Sequence, residues 1–238
     1  MAEYLAFHYF EPGSLLPGGY RTPFGIQNFP AACATLLLSE AKRQRLKPLR
    51  ALDLGCAVGR SSFELAGKVP EVVGIDFSKA FIRAARTLKK KESIRFPLKL
   101  EGTRTQMTTA KAPKTKYRTR LCFRTADALK LPALGKFDLV LAANLVDRVK
   151  DPKRLLQKIL PSLVRPGGLV LLTSPYTWTK EFTPSSRWPK DSFPSIRNIL
   201  SPDFRLLRRQ DLPFLLREHR RKFQLTFADA TIWKRRSS

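Results

Sequence analysis

Residues 51–66, ALDLGCAVGRSSFELA, decide the fold. The first four residues have the apolar character of a buried strand, and Ser61 to Lys68 has the spacing of a helix. Between them, two glycines around small residues let the backbone pass close to a ligand, and the following helix offers free N–H groups. A tight strand–helix packing turn is the alternative. The candidate ligand-binding residues of this turn are Gly55, Cys56, Ala57 and Gly59.

Strands and helices alternate outward from this unit. EVVGIDFS, LCFRTADA, KFDLVLAANL and GGLVLLTSP read as further strands. Helices are predicted over 27–45, 79–88, 151–164 and 187–200. FRLLRRQDLPF and KFQLTFADATIWKR close the chain as two strands with little helix between them. The pattern predicts an α/β fold with a mostly parallel, doubly wound sheet of seven strands and an antiparallel hairpin at one edge.

We expect one domain over residues 1–238. Its parts are an N-terminal cap (1–45), a ligand-binding core (46–175), and substrate-side elements with the closing strands (176–238). Residues 89–118 are polar and basic without a persistent period, which indicates an insertion in the core with a short hairpin.

Composition limits the function further. The net charge is +26, and Arg86 to Arg124 contains 13 basic residues against 2 acidic ones. Such a surface attracts polyanions, so nucleic acid is a possible partner, although charge alone does not favour it. The 3 cysteines are scattered and the 2 histidines lie at opposite ends, so no metal site is expected. The N-terminus lacks the pattern of a targeting peptide and no run suits a membrane span, which predicts a cytoplasmic protein.

Polar residues follow the predicted strands where a doubly wound sheet binds its ligands. Asp76 stands 21 residues beyond Gly55, at the spacing of an acid that accepts hydrogen bonds from ribose hydroxyls. Asp127 can accept from an adenine amino group or be a plain turn aspartate, and Asn144 ends the fourth strand. Phe77 and Ala128, which follow the two acids, are included in the predicted cofactor site.

These residues describe an adenosine ligand. The dinucleotide pattern G-x-G-x-x-G and the P-loop pattern are both missing, since Gly59 is followed by Arg60, Ser61 and Ser62. The remaining common adenosine cofactor with this layout is S-adenosylmethionine. Over residues 50–175 the chain resembles the Rossmann-like class I methyltransferases.

A longer series of motifs resembles one family within that class. The series runs NFPAACA, LDLGCAVGRSSFELA, GIDFS, FDLVLAANL, TSPYTW, DLPFL, RKFQ and ATIW, preceded by YLAFHY. It is similar to the mercaptohistidine imidazole-N-methyltransferase domain of ovothiol biosynthesis. The basic segment 89–118 is more cationic than the linker usual in that family.

The resemblance implies methylation of an imidazole nitrogen of 4- or 5-mercaptohistidine, with S-adenosylmethionine as donor. It also implies a separate sulfoxide synthase as a working partner, because two histidines cannot supply that enzyme's iron ligands. Asn144 and Tyr9 are the candidate catalytic residues, and Asn144 also belongs to the predicted cofactor set. The candidate substrate-binding residues are His8, Tyr176, Trp178 and Arg217.

Two alternatives remain open. The basic charge suits a methyltransferase acting on RNA or on protein, although the Asn/Asp-Pro-Pro-Tyr pattern of nucleic-acid amino-methyltransferases is missing where AANL stands. A catalytically inactive methyltransferase-like adaptor is the other, and the intact glycine turn and acids argue against it.

Overall fold

Seven strands form one sheet in this computed structural model, which describes residues 1–18 and 20–237. The sheet has the order β5-β2-β1-β6-β7-β9-β8, and the first five strands run parallel. The strands are β1 (Arg50–Leu54), β2 (Glu71–Asp76), β3 (Ser93–Glu101), β4 (Arg104–Lys111), β5 (Leu121–Thr125), β6 (Phe137–Ala143), β7 (Val164–Ser174), β8 (Phe204–His219) and β9 (Lys222–Arg235). The order reverses between β1 and β6, which creates the crevice where such folds bind ligands.

The antiparallel part of the sheet is the long β8–β9 hairpin, which pairs with β7 through β9. The predicted α/β fold with a mostly parallel seven-stranded sheet and an antiparallel edge hairpin is therefore confirmed.

Helices cover both faces of the sheet. They are α1 (Ala2–Tyr9), α2 (Pro12–Leu15), α3 (Phe29–Arg43), α4 (Arg60–Leu65), α5 (Lys79–Lys91), α6 (Pro152–Arg154), α7 (Leu160–Leu163) and α8 (Ser192–Leu200), with a π turn over Leu155–Ile159 between α6 and α7. One apolar core contains residues of α1, α3, α4 and α5, and the other contains residues of the π turn, α7 and α8. Among the described residues, no helix is both long and apolar enough to cross a bilayer.

The helix predicted over 79–88 continues to Lys91, so the insertion begins one turn later than predicted. The three lysines 89–91 suit the negative end of the helix dipole. The Arg118 guanidinium donates to the carbonyls of Leu88 (2.7 Å) and Lys89 (2.9 Å). The Leu88 carbonyl also accepts from the Glu92 amide, so Arg118 satisfies one carbonyl that the helix end leaves unpaired, that of Lys89. The rest of the insertion contains the antiparallel pair β3–β4, which confirms the predicted hairpin.

Two other boundaries differ from the prediction. Helix α8 begins at Ser192 instead of residue 187, because Trp188 precedes Pro189 and is extended there. Strand β7 is assigned from Val164, ahead of the predicted Pro166-Gly167-Gly168 turn. Val164 pairs with Phe137 of β6, and the next pair is Leu169 with Leu139. The turn therefore interrupts the pairing of β6 with β7 after its first residue pair.

Candidate functional site

The glycine turn lies at the carboxyl end of β1, beside the point where the strand order reverses. Gly55 has φ +82°, and a Cβ there would lie 3.0 Å from the Leu145 side chain. Gly59 has φ +92°, and its Cβ would lie 2.7 Å from the Phe123 ring. Cys56 is buried, and its amide donates to the Ile75 carbonyl at 2.9 Å. Close packing against Phe123 is therefore enough to require glycine at position 59. Gly55 precedes Cys56, in the part of the turn that is bonded to β2.

Asp76 at the end of β2 joins the turn to the adjacent strand. One carboxylate oxygen accepts from the Ala57 amide at 2.9 Å, and the other accepts from the Ser78 amide at 2.8 Å. Burial raises the pKa of the carboxyl above its usual range, and the two N–H donors lower it. A carboxylate has about four acceptor positions, so two remain for ligand hydroxyls. Phe77 is 80% exposed directly beside this carboxylate.

Asp127 and Ala128 follow β5, the strand that pairs with β2. One Asp127 oxygen accepts from the Leu129 amide at 2.8 Å. This is the bond expected of a plain turn aspartate, the alternative to adenine recognition. Both Asp127 and Ala128 are half-buried. Contact of either residue with adenine remains a prediction.

Helix α1 packs against the glycine turn. The Tyr9 hydroxyl donates to the Val58 carbonyl at 2.7 Å, and burial raises the pKa of this phenol well above its usual value. His8 is buried, and its Nδ1 has no hydrogen-bond partner among the described residues. Burial and the neighbouring Arg60 lower the pKa of His8 to about 3. At neutral pH, His8 is therefore an uncharged imidazole and Tyr9 a neutral phenol that is tied to the turn.

Tyr4 extends α1 toward the cofactor side. Its ring lies 4.6 Å from the Phe81 ring, centroid to centroid, at the start of α5. Burial raises the pKa of Tyr4, and the opposing charges of Arg148 and Asp76 act on the same hydroxyl. α1 therefore contacts the glycine turn through Tyr9 and the start of α5 through Tyr4, and its role as a cap remains a prediction.

Asn144 ends β6 in the left-handed conformation, with φ +49°. The backbone N–H of Asn144 donates to the Thr173 hydroxyl at 3.0 Å, and that hydroxyl donates to the side-chain oxygen Oδ1 of Asn144 at 2.8 Å. The side-chain NH₂ group is left without a protein partner among the described residues. A non-glycine residue held at positive φ at a sheet's ligand edge is a candidate for function.

Tyr176, just after β7, also has positive φ, +54°. Its hydroxyl donates to Asp229 Oδ2 at 2.7 Å, and the same carboxylate accepts from Arg209 Nε at 3.0 and 3.2 Å. Burial raises the pKa of Tyr176, and the hydrogen bond to Asp229 adds to the shift. We call Tyr176, Asp229 and Arg209 the tyrosine cluster. Trp178 is nearby in sequence but donates its indole N–H to Ser192 at 3.0 Å.

Arg217 lies away from the tyrosine cluster. In the β8–β9 hairpin, Asp211 is opposite Asp229, and six further residues at about 3.3 Å each separate Asp211 from Arg217 by about 20 Å. The buried Arg217 donates to the Lys99 carbonyl of β3 at 3.2 Å. The structure thus brings Asn144 and Tyr176 to neighbouring strand ends and places Arg217 against the inserted hairpin.

Several buried acids at this edge were missed by the sequence analysis. Asp53 in β1 accepts from Ser62 at 2.6 Å, and burial raises its pKa to about 7. Asp147 accepts from Ser174 at 3.0 Å and is fully buried. Asp229 belongs to the tyrosine cluster. The available signal was the same for each: a single carboxylate within or next to an apolar run.

The donor and acceptor set fits S-adenosylmethionine. Asp76 has free acceptor capacity for ribose hydroxyls, Phe77 offers an exposed apolar face beside it, and the turn presents backbone next to both. S-adenosylmethionine carries its methyl group on a positively charged sulfur. The carboxyl groups of Asp53, Asp76 and Asp147 at this edge of the sheet are compatible with that positive charge. The observed arrangement defines an adenosine-binding, doubly wound α/β protein.

Comparison with known proteins extends this class to a family. The model of the methyltransferase domain family matches residues 52–170, one half of the chain. The chain belongs to this methyltransferase domain family, within the class I enzymes that use S-adenosylmethionine.

Individual relatives are more distant. The chain is 27% identical over 130 residues to a ubiquinone biosynthesis O-methyltransferase of Leptothrix cholodnii. The aligned region covers 55% of this chain and 46% of that protein. It is 24% identical over 181 residues to a norajmaline N-methyltransferase of Rauvolfia serpentina, which spans 72% of this chain and 52% of that protein. The chain spans about half the length of the curated relatives it matches.

Among solved structures, the N-methyltransferase NodS of Bradyrhizobium japonicum superposes with a TM-score of 0.58 at 15% identity, covering 88% of this chain and 97% of NodS. Its complex with S-adenosyl-L-homocysteine superposes with a TM-score of 0.57 at 14% identity, covering 99% of this chain and 98% of that one. At these identities the likeness concerns the fold.

Proposed function

We propose that the protein transfers the methyl group of S-adenosylmethionine to a nitrogen atom of a small molecule. The tyrosine cluster carries this proposal. The Tyr176 hydroxyl donates its hydrogen bond to Asp229, so the lone pairs of its oxygen remain available. They can accept a hydrogen bond from an N–H group of the methyl acceptor. Asn144 offers two amide protons at the neighbouring strand end, which suit an anionic group of the same molecule.

The specific acceptor we propose is mercaptohistidine, methylated on its imidazole nitrogen. The motif series around NFPAACA, TSPYTW and ATIW supports this choice. A neutral imidazole already has a lone pair, so the protein's task is to hold this nitrogen in line with the methyl carbon at about 3 Å. The name of the Rauvolfia relative, a norajmaline N-methyltransferase, agrees with transfer to nitrogen. A separate sulfoxide synthase would supply this substrate.

The residues divide the work. We propose that Gly55, Cys56, Ala57, Gly59, Asp76, Phe77, Asp127 and Ala128 bind the cofactor, that Asn144 lies between cofactor and acceptor, and that His8, Tyr176 and Trp178 line the acceptor side. Tyr9 holds α1 to the turn through Val58 and thereby closes the crevice against water. Arg217 joins the β8–β9 hairpin to the inserted hairpin. Residues 1–45 act as this cap, 46–175 as the cofactor core and 176–238 as the acceptor side of one domain.

The test is an incubation of the purified protein with labelled S-adenosylmethionine and one acceptor at a time: 5-mercaptohistidine, histidine or bulk RNA. We expect label in the thiol-bearing histidine and none in RNA. Label in RNA alone would overturn the small-molecule proposal. Absence of cofactor binding by calorimetry would instead identify an inactive adaptor.

A further inference from the structure

A basic recess on the outer side of α5 has no part in the proposed methyl transfer. The recess has a volume of about 430 Å³ and is lined only by basic and threonine side chains. We call it the α5 groove. Its lining residues are Lys79, Arg83, Arg86, Thr87, Lys90, Lys91 and Thr125. The last of these ends β5, the edge strand of the sheet.

The cations follow one stripe of the helix. Lys79, Arg83, Arg86 and Lys90 are spaced four, three and four residues apart, which keeps them on one side of α5. At 1.5 Å per residue this stripe is about 16 Å long. A row of this length can contact several consecutive phosphates of one nucleic-acid strand.

These charges are not neutralised within the protein. Lys79, Arg83, Lys90 and Lys91 have no carboxylate within 4.0 Å in residues 1–18 and 20–237. Arg86 is fixed by the Phe123 carbonyl, to which its Nε and Nη2 donate at 3.1 and 2.8 Å. That bond holds a charged head group in place without cancelling its charge. The groove is therefore a partly ordered row of unpaired cations.

The chain continues this charge into the β3–β4 hairpin, which directly follows α5. The exposed cations of the insertion are Arg95, Lys99, Arg104, Lys111, Lys114 and Lys116. Of these, Arg104 alone has an ion pair in the described part of the chain, with Glu101. The insertion therefore adds to the positive field around the protein.

We propose that the α5 groove binds the phosphodiester backbone of single-stranded nucleic acid. A protein partner would need an apolar or aromatic anchor at the centre of its interface, and the lining contains none. A bilayer is flat, so it would not fill a recess between a helix and a sheet edge. A phosphodiester strand fits both the groove and the length of the charged row. Thr125 adds a hydroxyl group that can donate to a phosphate oxygen, whereas the Thr87 hydroxyl already donates to the Arg83 carbonyl at 2.9 Å.

The groove is separate from the proposed acceptor site. Strand β5 is the third strand from β6 in the sheet order, so at about 4.8 Å per step their ends lie roughly 14 Å apart. Nucleic acid in the groove would anchor the protein without entering the crevice beside Tyr176. The inference thus stands whether or not mercaptohistidine is the acceptor.

The test compares two triple variants that lose the same charge. Arg83→Gln, Lys90→Gln and Lys91→Gln remove three cations of the groove. Lys153→Gln, Arg154→Gln and Lys158→Gln remove three exposed cations of α6 and the π turn, which pack on the other face of the sheet. Binding of a fluorescein-labelled 20-nucleotide single-stranded RNA is measured by anisotropy between 50 and 200 mM salt, and calorimetry of S-adenosylmethionine checks that both variants are folded.

We expect the groove variant to bind at least about tenfold more weakly, with a log–log salt slope shallower by about 2, since each phosphate contact adds roughly 0.7. The control variant should change affinity less than about twofold. Equal weakening by both variants would show diffuse attraction and overturn the proposal. It would also be overturned if wild type did not bind at 100 mM salt, if anionic vesicles bound more tightly than RNA, or if tripolyphosphate displaced RNA at equal phosphate concentration.

Discussion

The cofactor side and the acceptor side of the crevice are built differently. On the cofactor side, the turn after β1 lies at most 21 residues from Asp76 after β2, and backbone amides of the turn donate to the Ile75 carbonyl and to the Asp76 carboxylate. On the acceptor side, Tyr176 is bonded to Asp229, 53 residues away, through side chains alone. Local chain geometry therefore dictates the first, and the packing of the β8–β9 hairpin dictates the second.

The largest effect should come from filling the turn. Gly59→Ala places a methyl group 2.7 Å from the buried Phe123 ring at φ +92°, so we expect the free energy of unfolding to fall by about 3–5 kcal/mol. Gly102→Ala is the matched control, since it also has positive φ but nothing within 4 Å, and should cost about 1 kcal/mol. Equal losses in urea denaturation would mean that close packing does not explain Gly59.

Removing the acid of the cofactor side should affect binding next. Asp76→Ala is expected to weaken S-adenosylmethionine binding by roughly 1–3 kcal/mol, because ribose hydroxyls lose their acceptor. Titration calorimetry measures this change, and a thermal melt checks that loss of the Ala57 and Ser78 contacts leaves the fold intact. Unchanged affinity in a folded variant would refute the ribose assignment.

The acceptor side should be acid-sensitive through His8. Its pKa is about 3 in the folded protein, below its ordinary value of 6.5, so the unfolded chain takes up the proton first as pH falls. Stability from this group is complete above pH 6.5 and declines toward pH 3, by about 2 kcal/mol at pH 5. His8→Gln should remove this part of the pH dependence of urea unfolding, and His219→Gln should leave it. Identical profiles for all three proteins would contradict the buried neutral imidazole.

The smallest effect should come from one hydroxyl. Tyr176→Phe removes the oxygen bonded to Asp229, and we expect KM for the acceptor to rise about fivefold, near 1 kcal/mol. The Kd of S-adenosylmethionine should not change, because Asp76 and the turn are untouched. Steady-state kinetics and calorimetry together decide the matter: a weakened cofactor with an unchanged acceptor KM would place Tyr176 on the wrong side of the crevice.

The two sides also differ in how far the sequence predicted them. The strand–turn–helix unit and the position of Asp76 at the end of β2 were predicted correctly because period, glycine spacing and strand ends are local signals, while the ribose role of Asp76 remains a prediction. Asp229 was missed because FADAT reads as an ordinary strand until β9 pairs with β7 and brings this residue to Tyr176. Arg217 was assigned to the substrate from its residue type, but the hairpin carries it to Lys99.

The sequence by itself determined the fold class, the glycine turn and the excess of positive charge, since each depends on residue order or composition alone. The polar groups that meet at the ends of β6 and β7, and the strand edge that the cations of α5 face, follow only from the tertiary structure. Those groups are distant in the chain. Their contacts depend on strand order and helix packing, which no local pattern encodes.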